Sequence, residues 1–362
     1  RRNFISINQS HLKNNPLNVK KIISIIAVAG IVVATAVGVY VYFKAFTPNT
    51  QFSQDEVYVY IPSNSTYEQV VEIVKPLVKD FEKFDFVATS RNYSTNVKAG
   101  KFLFKKDMTS FDMVRSLRLN VPVKVAFNNQ ETLGKLVQRL ATQLEPDSLK
   151  LDVAFTNTPF MEENGLTEET ILALFIPNTY EFYWNTPADK IAQKLAKEYR
   201  IFWNNERTEK AKALGLTPIQ VYTLASIVHK ETAKVDERPT VAGVYLNRLK
   251  QDMPLQADPT IIYAIKKRSG DFDQEIKRVF FNDLRINSPY NTYVNKGLPP
   301  GPIAMPDVSA IDAVLNSEKH DYIYFCANPD KPGYHAFASS YEAHQVNAKK
   351  YAEWVTKLGI DR

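Results

Sequence analysis

The longest apolar stretch of the chain covers residues 22–43, where no charged side chain occurs. As a helix rising about 1.5 Å per residue, such a run is about 33 Å long, enough to cross the hydrocarbon core of a membrane. Tyr40, Tyr42 and Phe43 stand at one end of the run, as interfacial aromatic side chains commonly do. The pattern predicts one transmembrane helix over residues 22–43.

Charge around this run predicts its orientation. No acidic residue precedes position 45, whereas six basic residues do: Arg1, Arg2, Lys13, Lys20, Lys21 and Lys44. The positive-inside rule then predicts a cytoplasmic tail over residues 1–21 and export of the chain beyond the helix. A cleaved signal peptide with an A-x-A-like site at residues 34–36 is the alternative. Because the apolar run continues seven residues past that triplet, a retained anchor is favoured.

A strand followed by a helix is predicted twice in the same register. The first copy alternates at Val57, Val59 and Ile61 and continues with a helical 3–4 spacing over residues 67–74. The second copy repeats these spacings 66 residues later. Ser65 and Glu68 are predicted to form a capping box at the first helix. Two copies suggest related βα modules, and chance recurrence of a common unit is the alternative.

The predicted organisation has five parts. A polar, turn-rich linker over residues 44–54 follows the transmembrane helix, and a small α+β module covers residues 55–120. In that module a strand begins at Gly100, and an amphipathic helix is capped by Thr109 or Ser110. Residues 121–362 form a larger mixed α/β domain with a cleft, in which residues 187–214 have a charged amphipathic helical pattern. The fold class is α+β.

A helix that ends in a carboxylate is the most informative segment of this domain. Thr217 and Pro218 are a favourable N-cap and first turn, and the apolar stripe that follows is continued by Glu231. A carboxyl group on an apolar face is partly dehydrated, which raises its pKa, as a general acid near neutral pH requires. Alternatively, Glu231 lies in water at a frayed helix end or pairs with Lys230 or Arg238.

Polar residues beside stiff loops follow this helix. Asn247 and Arg248 lie near the end of a second helix that begins at Pro239, and Gln256 and Asp258 lie in a turn-rich stretch. Further along come the sequence YNTY, with Tyr290, Asn291 and Thr292, and the sequence GLPPGPI, which begins at Gly297. Paired prolines stiffen a loop, and glycines allow close backbone approach, so these segments fit a sugar-binding groove or plain connections.

Composition excludes some classes of protein. Without the six N-terminal basic residues, 39 Lys and Arg face 39 Asp and Glu, so the folded part lacks the basic footprint of a nucleic-acid-binding protein. Cys326 is alone and is predicted to be a small core residue of a buried strand. His229 is predicted to be a surface or supporting residue. The remaining histidines lack metal-ligand spacing, so no metal and no cofactor are predicted.

The ordered motifs together resemble the endolytic murein transglycosylases of the MltG (YceG-like) family. They are ASIVHKET (225–232), VYLNRL (244–249), LQADPT (255–260), YNTY (290–293) and GLPPG (297–301), with IPNTYE (176–181), KAGKF (98–102) and HAF (335–337) outside them. The resemblance covers nearly all of residues 55–362. Two positions depart from it: some members carry a second glutamate at 229, and an aspartate is common at 178.

The resemblance implies a single-pass anchor in the bacterial inner membrane, a LysM-like module over residues 55–120 and an extracytoplasmic catalytic domain over 121–362. It implies that the enzyme cuts nascent peptidoglycan strands internally, with Glu231 as the essential residue and the synthases that make new strands as partners. Saccharide-binding roles are expected for six residues and supporting roles for three: Asn247, Gln256, Asp258, Tyr290, Asn291 and Thr292, then Thr232, Arg248 and Gly297.

One carboxyl group can serve as acid and then base if the 6-hydroxyl of the sugar attacks internally and leaves a 1,6-anhydro end. A hydrolase, the nearest alternative, would use a second carboxylate, for which Asp258 is the candidate. A non-catalytic scaffold that binds glycan strands and recruits synthases is the other alternative.

Overall fold

The computed structural model describes residues 16–357, and the chain divides between Val121 and Pro122 into two compact units. The predicted tail over residues 1–21 therefore lies mostly outside the described residues. In this part of the chain the strands form three antiparallel pairs, β1–β2, β3–β4 and β5–β6, whose bounds are given below with their helices. The architecture is mixed α/β.

Helix α1 (Pro16–Ala45) contains the predicted apolar run. Its segment Val19–Ala45 is the one helix of the described chain that is long and apolar enough to cross a membrane. A signal sequence near an N-terminus has the same properties, so the helix is a candidate anchor. At its C-terminal end, Lys44 Nζ lies 3.3 Å from the carboxylate of Glu82.

The first unit continues with a βααβ arrangement. Its elements are β1 (Glu56–Ile61), α2 (Tyr67–Val74), a 3₁₀ turn (Lys75–Leu77), α3 (Phe81–Ser90), β2 (Gly100–Lys105) and α4 (Ser110–Ser116). Strands β1 and β2 pair from Glu56 opposite Lys105 to Ile61 opposite Gly100. Alternate strand residues such as Val59 and Phe102 are buried against the helices.

Residues predicted as a linker lie against this unit. Asn49 is 1% exposed, and its side-chain amide donates to Asp80 O at 2.7 Å and to Ser110 Oγ at 3.0 Å. Thr109 is the N-cap of α4, one of the two predicted cap residues.

The predicted capping box of α2 is wrong by one residue. Thr66, not Ser65, is the N-cap; its hydroxyl accepts from Gln69 N at 3.4 Å, and Gln69 Oε1 accepts from Thr66 N at 2.9 Å. Ser65 instead donates to Pro62 O at 2.8 Å. Both registers satisfy the sequence pattern of the box, and the turn after β1 selects the second one.

The second unit begins with the same order of elements. It contains β3 (Pro122–Phe127), α5 (Leu133–Ala141), α6 (Ser148–Thr156), α7 (Thr158–Glu163), a 3₁₀ turn (Ile171–Leu174) and β4 (Asn178–Tyr183). Strands β3 and β4 are antiparallel, with Pro122 opposite Tyr183. The starts of β3 and α5 lie 66 residues after those of β1 and α2, as the repeated pattern predicts. The second βααβ unit differs by the α7 insertion before its last strand.

The rest of the second unit is mainly helical. It contains α8 (Ala188–Phe202), α9 (Asn205–Ala213), α10 (Pro218–Glu231), α11 (Arg238–Lys250), α12 (Asp258–Ser269), a 3₁₀ turn (Asp283–Arg285), α13 (Val308–Leu315), β5 (Tyr324–Ala327), β6 (His335–Ala338) and α14 (Tyr341–Lys357). Every residue of α10 from Val221 to Val228 is buried, because α11, α12 and α13 pack around it.

The single helical pattern predicted over residues 187–214 forms two helices. Asn204 breaks it: its side-chain oxygen accepts from Arg207 N at 3.0 Å and caps α9. A short polar side chain that bonds to nearby backbone favours a helix start over a helix interior.

Replacement of the observed cap tests the register of α2. Thr66→Ala should lower the stability of the first unit by about 1 kcal/mol, because one helix N–H loses its acceptor. Ser65→Ala is the matched control and should change stability by less than about 0.5 kcal/mol. Denaturant titration measures both changes, and a larger loss for Ser65→Ala would contradict the observed cap.

Candidate active site

A cavity of about 220 Å³ lies in the second unit at the C-terminal end of α10. Ten residues from α10, α11, the loop before α12, the segment after Tyr290 and the β5–β6 hairpin line it: Glu231, Arg248, Leu255, Gln256, Asp258, Tyr293, Phe325, Cys326, Ala327 and His335. Four of the residues predicted from the sequence therefore meet around one space, although they come from three separate motifs.

Glu231 is the last residue of α10 and is half-buried. The helix begins as predicted, with a Thr217 cap and Pro218 in its first turn. Tyr245, on the neighbouring helix α11, donates its hydroxyl to Glu231 Oε2 at 3.2 Å. The end of one buried helix thus fixes where the carboxyl group stands, and the next helix supplies its hydrogen-bond donor.

The surroundings of Glu231 raise its pKa from an ordinary 4.5 to about 7. Loss of hydration on burial is the main cause, because a carboxylate loses more than a neutral carboxyl group when water is removed. The Tyr245 hydrogen bond and the Arg248 charge act in the opposite direction, whereas the carboxylates of Asp258 and Glu237 raise the pKa further. Near neutral pH, this group can hold a proton and can also release it.

Arg248 forms one wall of the cavity and is 7% exposed. Its Nε donates to Ile323 O at 2.6 Å, and its Nη1 donates to Leu255 O at 2.9 Å and to the side-chain oxygen of Gln256 at 3.2 Å. The guanidinium group therefore joins the hairpin region to the loop before α12. It places positive charge within reach of the carboxyl group of Glu231.

Gln256 lies in the loop before α12, and Asp258 directly follows that loop. Gln256 has a left-handed backbone conformation with φ of 51°, which is uncommon outside glycine, asparagine and aspartate. Asp258 begins α12 and accepts a hydrogen bond of 2.5 Å from the hydroxyl of Tyr293. Both side chains are exposed at the cavity and are accessible to a ligand.

Asn291 and Thr292 are buried, and both bond to the protein backbone. Asn291 donates to Leu284 O and Ile286 O, each at 2.9 Å. Thr292 accepts from Ala257 N at 3.0 Å through its hydroxyl and from Gln256 N at 3.0 Å through its carbonyl. Thr292 thus holds the loop that presents Gln256, whereas Asn291 holds the backbone of Leu284 and Ile286.

Three more predicted residues lie outside the lining of the cavity. Tyr290 is 1% exposed and packs on Tyr263 with ring centroids 4.7 Å apart. The amide of Asn247 donates to His320 O at 2.7 Å and to Tyr322 O at 3.0 Å. Gly297 has a φ of 82°, a conformation that glycine adopts without strain, in the loop after Tyr293.

Thr232 caps the end of α10 and bonds to the residues that begin α11. Its hydroxyl donates to Glu237 Oε2 at 2.9 Å, and its carbonyl accepts from Arg238 Nε at 3.4 Å. His229, on the same helix, lies within hydrogen-bonding distance of Arg238 and 3.3 Å from Asp307. These contacts tie the helix end to the start of α11 and of α13.

Sequence reasoning missed four residues of this region: Tyr245, Tyr293, Glu237 and His335. Tyr245, Tyr293 and His335 lie in the motifs VYLNRL, YNTY and HAF, and this position is the one signal in the sequence that could have identified them. Glu237 lies between motifs and is recognisable only from the fold. Cys326 lies in the predicted strand, but it is only partly buried, and it lines the cavity.

In the described part of the chain, no group of three or more His, Cys, Asp or Glu side chains has an arrangement suited to a metal ion. The cavity contains a carboxyl group with a pKa near neutrality, surrounded by hydrogen-bonding side chains. Proton transfer to and from a bound polar molecule is the reaction type that this arrangement supports.

Comparison with known proteins shows the family of the chain. The model of the YceG-like family matches residues 59–350, and the chain belongs to that family. It is 29% identical to the endolytic murein transglycosylase of Bacillus subtilis (strain 168) over 336 residues, which cover 87% of this chain and 90% of that protein.

Two further proteins are similar. The endolytic murein transglycosylase of Streptococcus pneumoniae (strain R6) is 28% identical over 335 residues, and the match covers 83% of this chain and 59% of that longer protein. The crystal structure of a YceG-like protein from Listeria monocytogenes superposes with a TM-score of 0.53 at 26% identity, covering 81% of this chain and 99% of that one.

The raised pKa of Glu231 predicts a pH-dependent effect on stability. Since the pKa is higher in the folded chain than in the unfolded one, the folded state loses stability as pH rises from about 4.5 through about 7. Glu231→Gln removes this titration. The difference between a pKa of 4.5 and one of about 7 corresponds to about 3 kcal/mol of stability at pH 8. The variant should therefore melt with the wild type at pH 4.5 and about 6–12 °C above it at pH 8.

Calorimetry of both proteins at the two pH values measures the difference. A melting-temperature difference that is the same at pH 4.5 and pH 8 would mean that the carboxyl group of Glu231 titrates normally.

Proposed function

We propose that this protein is an endolytic murein transglycosylase that cleaves the β-1,4 bond between N-acetylmuramic acid and N-acetylglucosamine within glycan strands and leaves 1,6-anhydro ends. The observation that carries the proposal is the carboxyl group of Glu231, with a pKa of about 7, at a cavity in a chain of the YceG-like family. The similar proteins of Bacillus subtilis and Streptococcus pneumoniae are endolytic murein transglycosylases, which supports the same reaction and substrate.

Glu231 is proposed as the catalytic acid and base. In its protonated form it donates to the glycosidic oxygen as the bond from C1 to that oxygen breaks. The 6-hydroxyl oxygen of the same muramic acid forms the new bond to C1, and the Glu231 carboxylate accepts the hydroxyl proton. Internal attack needs no water nucleophile, because both reacting groups belong to one sugar. A pKa near neutrality lets one side chain perform both transfers.

The other predicted residues divide into two proposed roles. Gln256 and Asp258 line the cavity and are proposed to bind the saccharide, with Arg248 beside them. Six other residues are proposed to hold these cavity-lining side chains in position: Thr232, Asn247, Tyr290, Asn291, Thr292 and Gly297. The hydrogen bonds of Asn247, Asn291 and Thr292 to backbone atoms support this division.

A hydrolytic reaction is the second candidate, since Asp258 lines the same cavity as Glu231. A hydrolase would use that carboxylate to activate water or to form a glycosyl intermediate, and its products would carry reducing ends. The hydroxyl of Tyr293, bonded to Asp258 at 2.5 Å, favours a binding role for this carboxylate instead.

We further propose that α1 anchors the enzyme in the cytoplasmic membrane with its N-terminus inside. The basic residues before the apolar run support this orientation. The βααβ order of the first unit supports a LysM-like module, and glycan strands and their synthases are the proposed partners of the exported units.

Product analysis tests the reaction. The full chain in detergent should release muropeptides with 1,6-anhydro ends from purified peptidoglycan, and Glu231→Gln should lower the rate at least about 100-fold, because the proton donor is lost. Glu342→Gln, an exposed residue of α14, is the matched control and should cleave at the wild-type rate. Mass spectrometry identifies the ends; reducing ends from the wild type would support the hydrolase and contradict the transglycosylase.

The neighbours of Glu231 predict the pH dependence of cleavage. The rate should fall above about pH 7 as the acid loses its proton. Tyr245→Phe removes a hydrogen bond that lowers the Glu231 pKa, so the alkaline limb of kcat/KM should move to higher pH. Asp258→Asn removes a charge that raises the pKa, so the limb should move to lower pH. Shifts of both variants in one direction would contradict this account.

A further inference from the structure

A second carboxylate, Glu237, is buried just before α11, with its side chain 4% exposed. It accepts hydrogen bonds from Thr232 Oγ1 at 2.9 Å and from the backbone N of His335 at 2.6 Å. The ring Nδ1 of His335 lies 2.9 Å from Glu237 Oε2. A buried carboxylate is stable only when such donors surround it. The donors to Glu237 come from Thr232, close to it in sequence, and from His335, 98 residues away.

These contacts determine the tautomer of His335. A carboxylate only accepts hydrogen bonds, so the proton of the neutral imidazole lies on Nδ1, and Nε2 carries the free lone pair. The ring is held in place by the edge of Phe325, with centroids 4.9 Å apart. Nε2 is thus the nitrogen of His335 that remains for a ligand.

His335 belongs to the same cavity as Glu231. Phe325 contacts both His335 and Tyr245, the donor to Glu231, in T-shaped arrangements with ring centroids 4.9 Å and 5.9 Å apart. Glu237 also connects His335 to the end of α10, because Thr232 follows Glu231 and donates to Glu237. A saccharide held at Glu231 would lie beside the imidazole.

We propose that His335 binds the substrate, with Nε2 accepting a hydrogen bond from a hydroxyl of the saccharide held at Glu231, and that Glu237 is the positioning residue that fixes this tautomer. The inference rests on the proposed function and adds a subsite to it. An uncharged acceptor backed by a buried anion selects a hydroxyl donor and disfavours an anionic ligand.

The tautomer can be measured without any substrate. The full chain, labelled with ¹⁵N-histidine and kept in detergent at pH 8.5, contains five histidines, and His335→Asn identifies the signals of His335. The wild type should have a protonated Nδ1 and an unprotonated Nε2. Glu237→Gln leaves one oxygen for three donors, so the His335 signals should move towards a mixture of tautomers. An Nε2-protonated ring in the wild type would overturn the inference.

Kinetics then test the role of Nε2. The amide of asparagine can replace Nδ1–H towards Glu237 but has no atom at the position of Nε2. His335→Asn should therefore lower kcat/KM for glycan strands about tenfold, the effect of one lost hydrogen bond, and change the melting temperature by less than about 2 °C. Tyr334→Phe, which removes a neighbouring hydroxyl bonded to Asp236, is the control and should retain wild-type kcat/KM.

The outcomes separate this inference from the function on which it rests. If the wild type cleaves strands and His335→Asn cleaves them equally well, the inference is overturned and the proposed function stands. If His335→Asn is slower only in proportion to a loss of folded protein, the pair is structural and the inference is also overturned. If the wild type cleaves no strands, both proposals fall.

Discussion

The packing of α10 removes water from the carboxyl group at its end, and the chemistry of the cavity depends on that loss. Eight consecutive buried residues, from Val221 to Val228, commit the helix to the interior, and Glu231 is carried to the edge of the same core. A carboxylate there lacks most of its hydration, so the proton is held to a pKa of about 7. The hydrogen bond from the Tyr245 hydroxyl acts in the opposite direction and lowers the pKa of the group.

Polar side chains that bond to the protein backbone determine the shape around this carboxyl group. Arg248 bonds to backbone carbonyls on two sides of the cavity, and Thr292 bonds to the backbone on both sides of Gln256. Breaking such buried bonds leaves donors or acceptors without partners, at a cost of about 1–3 kcal/mol each. Because Arg248 and Thr292 each form several of these hydrogen bonds, the loss of either side chain would change the shape of the cavity at more than one place.

Local features of the sequence predicted much of the fold. The apolar run of α1, the repeated strand and helix, and the helix from Thr217 to Glu231 each depend on neighbouring residues, so periodicity and caps suffice to locate them. The α2 cap was misplaced by one residue because Ser65 and Thr66 are both good caps, each followed three residues later by Glu or Gln. The break at Asn204 was missed because residues 206–213, after it, are mostly good helix formers.

Contacts between residues far apart in the chain could not be predicted from the sequence. The pairing of Glu237 with His335 joins positions 98 residues apart, and the partner of Glu231, Tyr245, is recognisable only when α11 packs on α10. Asn291 and Thr292 were predicted as ligand contacts because they are polar and lie in a motif. Polarity alone does not distinguish a side chain that faces a cavity from one that bonds to a buried backbone.

The pKa of Glu231 is the central quantity of this account. The full chain in detergent, labelled with ¹³C at glutamate side-chain carboxyl carbons, can be titrated by NMR, with Glu231→Gln identifying the signal. A midpoint near pH 7 is predicted. A midpoint near 4.5, the value of a hydrated carboxyl group, would contradict the account.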